Sequence, residues 1–108
     1  MEMASRNLTA VDFDKAVKDA PLAMIDFWAD WCGPCMMLAP MVEHFGEVYG
    51  RRALVAKVNI DEQPELARRF GVTNIPTVMF LKNGKEFNRQ VGMMLPPVYE
   101  KILEENLK

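Results

Sequence analysis

An α/β or α+β single domain is predicted by the way two kinds of apolar pattern alternate along the chain. Apolar runs at residues 24–28, 53–60 and 77–81 read as buried strands, and segments with apolar side chains every three or four residues read as helices between them. An Asn83-Gly84 pair after the third run marks a two-residue hairpin turn. The order is helix, strand, helix, strand, helix, hairpin, helix over 108 residues, a chain length that suits one domain.

Each element has a local cause. In the first helix Thr9 supplies a cap, Asp12 stands at the third helical position and Leu8 can staple to Phe13. Phe13, Ala16 and Val17 face inward, and the helix stops near Asp19, ahead of Pro21. The strand Met24-Ile25-Asp26-Phe27-Trp28 is apolar on both faces except at Asp26, as suits a central strand covered on both sides. From Cys35 onward Leu38, Met41, Val42, Phe45 and Val48 share a helical face, Pro40 is expected to kink that helix, and Gly50 stops it. Ala53 to Ile60 is the second strand. Asp61-Glu62-Gln63-Pro64 opens a short helix with Leu66, Ala67 and Phe70 inward, ended by Gly71. Thr77 to Leu81 pairs through the hairpin with a strand from Glu86 to Val91. Pro96 and Pro97 open the last helix, where Val98, Tyr99, Ile102, Leu103 and Leu107 repeat at helical spacing.

Composition narrows the function. Half of the residues are hydrophobic, 26% are charged and the net charge is −2, which describes a globular chain. No basic cluster suggests contact with nucleic acid, and no apolar stretch approaches a membrane span. Met1 to Thr9 shows neither a long apolar run nor a small-residue cleavage pattern, so no signal peptide is expected. With a Cys-x-x-Cys pair, that favours the reducing cytoplasm.

The chemistry concentrates in Trp28-Ala29-Asp30-Trp31-Cys32-Gly33-Pro34-Cys35, which holds the only two cysteines. They fall where a strand hands over to a helix, three residues apart, so both lie on one face of a first turn within disulfide reach. A loop this short gives little entropic stabilisation, so a bond that opens and closes fits better than a structural staple. Zinc wants four ligands, and the lone His44 lies too far along the same helix, so no metal is expected. A c-type haem would need histidine after Cys35, where Met36 stands. Unpaired N–H groups and the helix dipole stabilise an anion at the helix start by about 1–2 kcal/mol, which lowers a thiol pKa from about 8.5 by roughly one unit. Cys32, just outside the helix, is therefore the expected exposed nucleophile, and Cys35, one turn in, the shielded resolving thiol. Pro34 suits the first turn because its missing N–H would have no partner there.

This run, taken with Pro40, Lys57, Ile75-Pro76-Thr77, Gly84 and Val91-Gly92, resembles the thioredoxin family over essentially the whole chain. The resemblance implies a single thioredoxin domain over residues 1–108, with a central mixed five-stranded sheet flanked by four helices. It implies reduction of disulfide-containing target proteins, with no bound cofactor and electrons returned by a thioredoxin reductase, and the chain is expected to act as a monomer. Cys32 would form a mixed disulfide that Cys35 resolves. Gly33 and Pro34 would tune the pair toward reductant, against the rival readings of a disulfide oxidant or isomerase, or of a binding module with incidental redox chemistry. Asp26, costly to bury when ionised, is expected to carry a raised pKa and to act as the acid/base for Cys35 through water, with Lys57 as its charge partner. The resemblance also implies a cis Ile75–Pro76 bond beside the thiols. Trp31, Pro34, Ile75, Pro76, Val91, Gly92 and Met93 would then form an apolar, substrate-binding collar around Cys32. Trp28 is expected to pack beneath. Met36, where many relatives carry lysine, and Met93 and Met94 depart from the family pattern.

Overall fold

The computed structural model describes residues 4–108; Met1 to Met3, part of the stretch read for an export signal, lie outside the described residues. Nine elements follow one another: β1 (Arg6–Asn7), α1 (Phe13–Lys18), β2 (Leu22–Trp28), α2 (Gly33–Tyr49), β3 (Leu54–Asn59), α3 (Pro64–Arg69), β4 (Thr77–Lys82), β5 (Lys85–Val91) and α4 (Pro96–Asn106). The strands form one five-stranded sheet in the order β1-β3-β2-β4-β5. β1, β3 and β2 run parallel, whereas β4 runs antiparallel to β2 and to β5, so the sheet is mixed.

β2 lies at the centre because its alternate side chains find apolar cover on both faces. Ala23, Ile25 and Phe27 join a cluster with Phe13, Val17 and Leu66 of α1 and α3. Leu22 and Met24 join one with Leu38, Val42 and Phe45 of α2 and with Tyr99 and Leu103 of α4. Each fully buried Leu, Ile or Phe contributes roughly 1.5–3 kcal/mol of transfer free energy. The register sets Asp26 beside Lys57 on one side and Val78 on the other, all three on the face under α2 and α4.

Several boundaries differ from the residue pattern, each for a stated reason. β1 has no apolar alternation: Arg6 and Asn7 are both exposed, and only their pairing with Ala56 and Lys57 makes them a strand. The first helical turn opens at Thr9, whose carbonyl accepts from the Phe13 N–H at 3.0 Å, but the regular helix starts at Phe13. Asp12 turns its carboxylate back to the Thr9 N–H at 2.6 Å, so half of the capping box forms while the helix itself gets no side-chain cap. α2 begins at Gly33, two residues before Cys35, and runs on through Pro40. Val48, expected inward, is 49% exposed, because the buried stripe passes from Phe45 to Tyr49. The hairpin is as its residues dictate: Asn83 (φ 51°) and Gly84 (φ 82°) both take the left-handed conformation of a type I′ turn.

Gly46 lets the N-terminal segment lie on α2. A Cβ there would stand 2.8 Å from the Ala4 carbonyl carbon and 3.0 Å from the Ser5 nitrogen. The same approach lets the Ser5 N–H and hydroxyl both donate to the Glu43 carboxylate at 2.8–2.9 Å. Gly46→Ala should therefore lower stability by about 1 kcal/mol or more, because overpacking outweighs the gain in helix propensity of about 1 kcal/mol. A urea midpoint equal to or above that of the parent would contradict this packing.

Candidate active site

The site is built where β2 ends and α2 begins. Cys32 is the N-cap of α2, in extended conformation, and its Sγ accepts the Cys35 N–H at 3.2 Å. It thus does what a serine or aspartate oxygen does at other helix starts, satisfying an otherwise unpaired backbone donor. Gly33 and Pro34 form the exposed first turn. A disulfide joins Cys32 to Cys35 across that turn, with Cα atoms 5.2 Å apart.

The expectation of an exposed Cys32 is corrected. In this oxidised form Cys32 is 5% and Cys35 1% exposed, so the two differ in degree only. The neighbouring loop covers Cys32, with the Ile75 carbonyl oxygen 3.7 Å from its sulfur. The Ile75–Pro76 bond is cis. The Pro76 carbonyl accepts the Gly92 N–H at 2.8 Å, and Gly92 takes a φ of 87° that favours glycine. The Ile75-Pro76 and Gly92-Met93 loops are thereby tied together beside the sulfur pair.

Of the seven collar residues, Trp31, Pro34, Val91 and Met93 are exposed, Ile75 and Gly92 are half-buried, and Pro76 is buried. Pro76 is thus a support under the collar and not part of its open surface, since β4 begins directly after it. Trp31 is the most open of the aromatic side chains at 68%. Its Nε1 donates to Asp61 Oδ2 at 2.8 Å, and Asp61 is itself placed by the Asn59 side chain, which accepts the Asp61 N–H at 2.9 Å. Nothing in the local pattern singled out Asp61; the contact spans 30 residues. Tyr99 was legible only as a core residue of α4, yet its hydroxyl accepts the Met94 N–H at 2.9 Å and holds the loop that carries Met93. Met36 and Met37 add exposed thioethers on the first turns of α2, and His44 lies exposed farther along it.

Asp26 is 1% exposed, and neither carboxylate oxygen has a hydrogen-bond partner in the protein. Burial pushes its pKa up to about 7, opposed by the nearby Lys57 charge. Lys57 is the charge partner expected for Asp26, acting on it without a close contact. The two are register neighbours, but no ion pair joins them, and the Lys57 ammonium lies 4.4 Å from the centre of the Trp28 ring. Lys57 therefore acts on Asp26 through its field, while the aromatic face takes the close contact. Trp28 is half-buried behind the site, its Nε1 buried without a partner.

The thioredoxin family model matches residues 4–105. Thioredoxin of Chlorobaculum thiosulfatiphilum is 40% identical over 97 residues, covering 90% of this chain and 84% of its own length. Thioredoxin 1 of Nostoc is 37% identical over 105 residues, covering 96% and 98%. A mutant thioredoxin from Halobacterium salinarum superposes with a TM-score of 0.90 at 30% identity, over 100% of this chain and 96% of that one.

A carboxyl group held near pKa 7 makes stability depend on pH. Below the unfolded value of 3.8 Asp26 is protonated in both states and contributes no pH dependence. Between about 4 and 7 the unfolded chain ionises it and the folded protein does not, so the folded state, which binds more protons, loses stability as pH rises. The loss is at most on the order of 4 kcal/mol and is complete above the folded pKa. Asp26→Asn should remove that slope and leave the oxidised variant more stable at pH 8, by on the order of 2 kcal/mol. Urea unfolding at a series of pH values checks this, and parallel curves for the two proteins would contradict it.

Proposed function

The chain belongs to the thioredoxin family, and from that premise we propose how its own residues carry the reaction. The protein is a dithiol-disulfide oxidoreductase that reduces protein disulfides. The observation that carries the assignment of roles is the Cys32 sulfur at the N-cap of α2, accepting the Cys35 N–H and bonded to Cys35 across one turn.

In the reduced protein the Cys32 thiolate attacks one sulfur of a target disulfide. A new S–S bond forms, the target bond breaks, and its second sulfur leaves as a thiolate that takes up a proton. Cys35 then loses its proton and attacks Cys32, the mixed disulfide breaks, and the target departs as a dithiol while the Cys32–Cys35 bond closes. Two electrons have passed to the target. Asp26, poised near neutral pH, is the group that accepts and returns the Cys35 proton, with Lys57 keeping the ionised form accessible. Gly33 and Pro34 set the geometry of the turn and tune the pair. Trp31, Pro34, Ile75, Val91, Gly92 and Met93 receive the target segment over the support of Pro76. A segment lying along Ile75 can pair with its backbone in extended conformation.

A reductase partner and disulfide-containing targets follow from the family; a thioredoxin reductase would reopen the Cys32–Cys35 bond. The chain works in this reading as a monomeric single domain in the cytoplasm, without a bound cofactor. Among the described residues no helix is long and apolar enough to cross a membrane.

Cys35→Ser should trap the reaction at its midpoint. Targets are expected to remain attached through Cys32 and to be released by excess small thiol. Attachment that persists in Cys32→Ser with Cys35 intact, or no attachment in the Cys35→Ser variant, would overturn the assignment of attacker and resolver.

A further inference from the structure

The connecting segments at the two ends of the sheet differ in charge. At the end that carries the sulfur pair, five segments join the elements: residues 8–12, 29–32, 60–63, 70–76 and 92–95. They contain Asp12, Asp30, Asp61 and Glu62, and not one lysine or arginine. The connecting and terminal segments at the opposite end, residues 19–21, 50–53, 83–84 and 107–108, hold Arg51, Arg52 and Lys108 against Asp19. Asp30, Asp61 and Glu62 are exposed, and none of them is in an ion pair among the described residues. Asp61 stands directly against Trp31, the exposed aromatic of the collar, and Asp30 precedes Trp31 in the chain. Lys57 is buried with its ammonium over Trp28, and α3, which joins two of these segments, carries exposed Arg68 and Arg69, the latter paired with Asp14. Met36 puts an uncharged thioether next to Cys35.

On the side of Trp31 the apolar collar is therefore bordered by the unpaired carboxylates of Asp30, Asp61 and Glu62, and the five segments themselves contribute no cation. We propose that this rim selects target segments carrying lysine or arginine beside their disulfide, and disfavours acidic ones. The inference rests on the disulfide-reductase reading and adds to it a class of substrate. The physics is long-range: opposite charge speeds the encounter and like charge slows it, and added salt removes both effects. Apolar contact with Trp31 and the methionines is indifferent to salt, so the two contributions separate experimentally.

The test uses three peptides with the same internal disulfide, flanked by lysine, serine or glutamate, and single-turnover reduction by the pre-reduced protein. Each rate is divided by that with a small dithiol, which removes differences in the intrinsic reactivity of the peptides. At about 0.01 M salt, where the screening length is about 30 Å, the lysine peptide should react about tenfold faster than the glutamate peptide. At about 1 M salt, where that length is about 3 Å, the ratio should fall to about twofold or less. Asp30→Asn with Glu62→Gln should lower the ratio at low salt. Equal rates, a faster glutamate peptide, or a lysine preference untouched by salt and by the two neutralisations would overturn the proposal. The serine peptide isolates the underlying reading: if it too is not reduced, the reductase assignment fails along with the selectivity built on it.

Discussion

The junction of β2 and α2 is the constraint on which the rest depends. A parallel strand that must turn into a helix leaves backbone donors without partners at the helix start. In this chain the side chain that answers them is a sulfur, held by the Cys35 N–H at 3.2 Å. The same first turn brings the second sulfur within bonding range, so one piece of backbone geometry supplies both an anion-stabilising environment and a partner for the exchange. The loops at Ile75-Pro76 and Gly92-Met93 are tied to each other by one backbone hydrogen bond and frame the sulfur from the side. Sheet topology brings these distant segments to one end of the molecule, and helices pack on both faces of the sheet beneath them.

A second feature is an energetic tension under the site. Asp26 sits in a strand whose other residues are apolar and, Trp28 excepted, buried, and its carboxyl oxygens have no protein partner. Such a group costs stability when ionised and is retained at that cost. Lys57 moderates the cost through its field while stacking on Trp28, so that Asp26 can change protonation near pH 7. A tight ion pair would have held the carboxylate ionised and removed its use as a proton acceptor and donor. The separation of the two charges is what keeps the group poised.

Most of the fold was legible because its signals are local. Asn83-Gly84 demands left-handed backbone, Pro64 and Pro96 open helices, and the helical spacing of Leu38, Val42 and Phe45 names an inward face. The Cys-x-x-Cys spacing and the buried carboxylate were readable for the same reason. What was not legible is tertiary. β1 exists through its partner strand alone, Val48 lost its place in the core to Tyr49, and the Trp31–Asp61 contact joins segments whose proximity no local pattern announces. The burial of Cys32 is tertiary too, since the Ile75 carbonyl that lies against its sulfur comes from 43 residues away.

The most direct test is the titration of the Cys32 thiol in the reduced protein, followed by the rate of alkylation against pH with the modified cysteine identified by mass. A sulfur held at the start of α2 should show a midpoint about one unit below the free value of about 8.5, and should react before Cys35. A midpoint at or above the free value, or modification of Cys35 first, would contradict the view that the helix start activates Cys32.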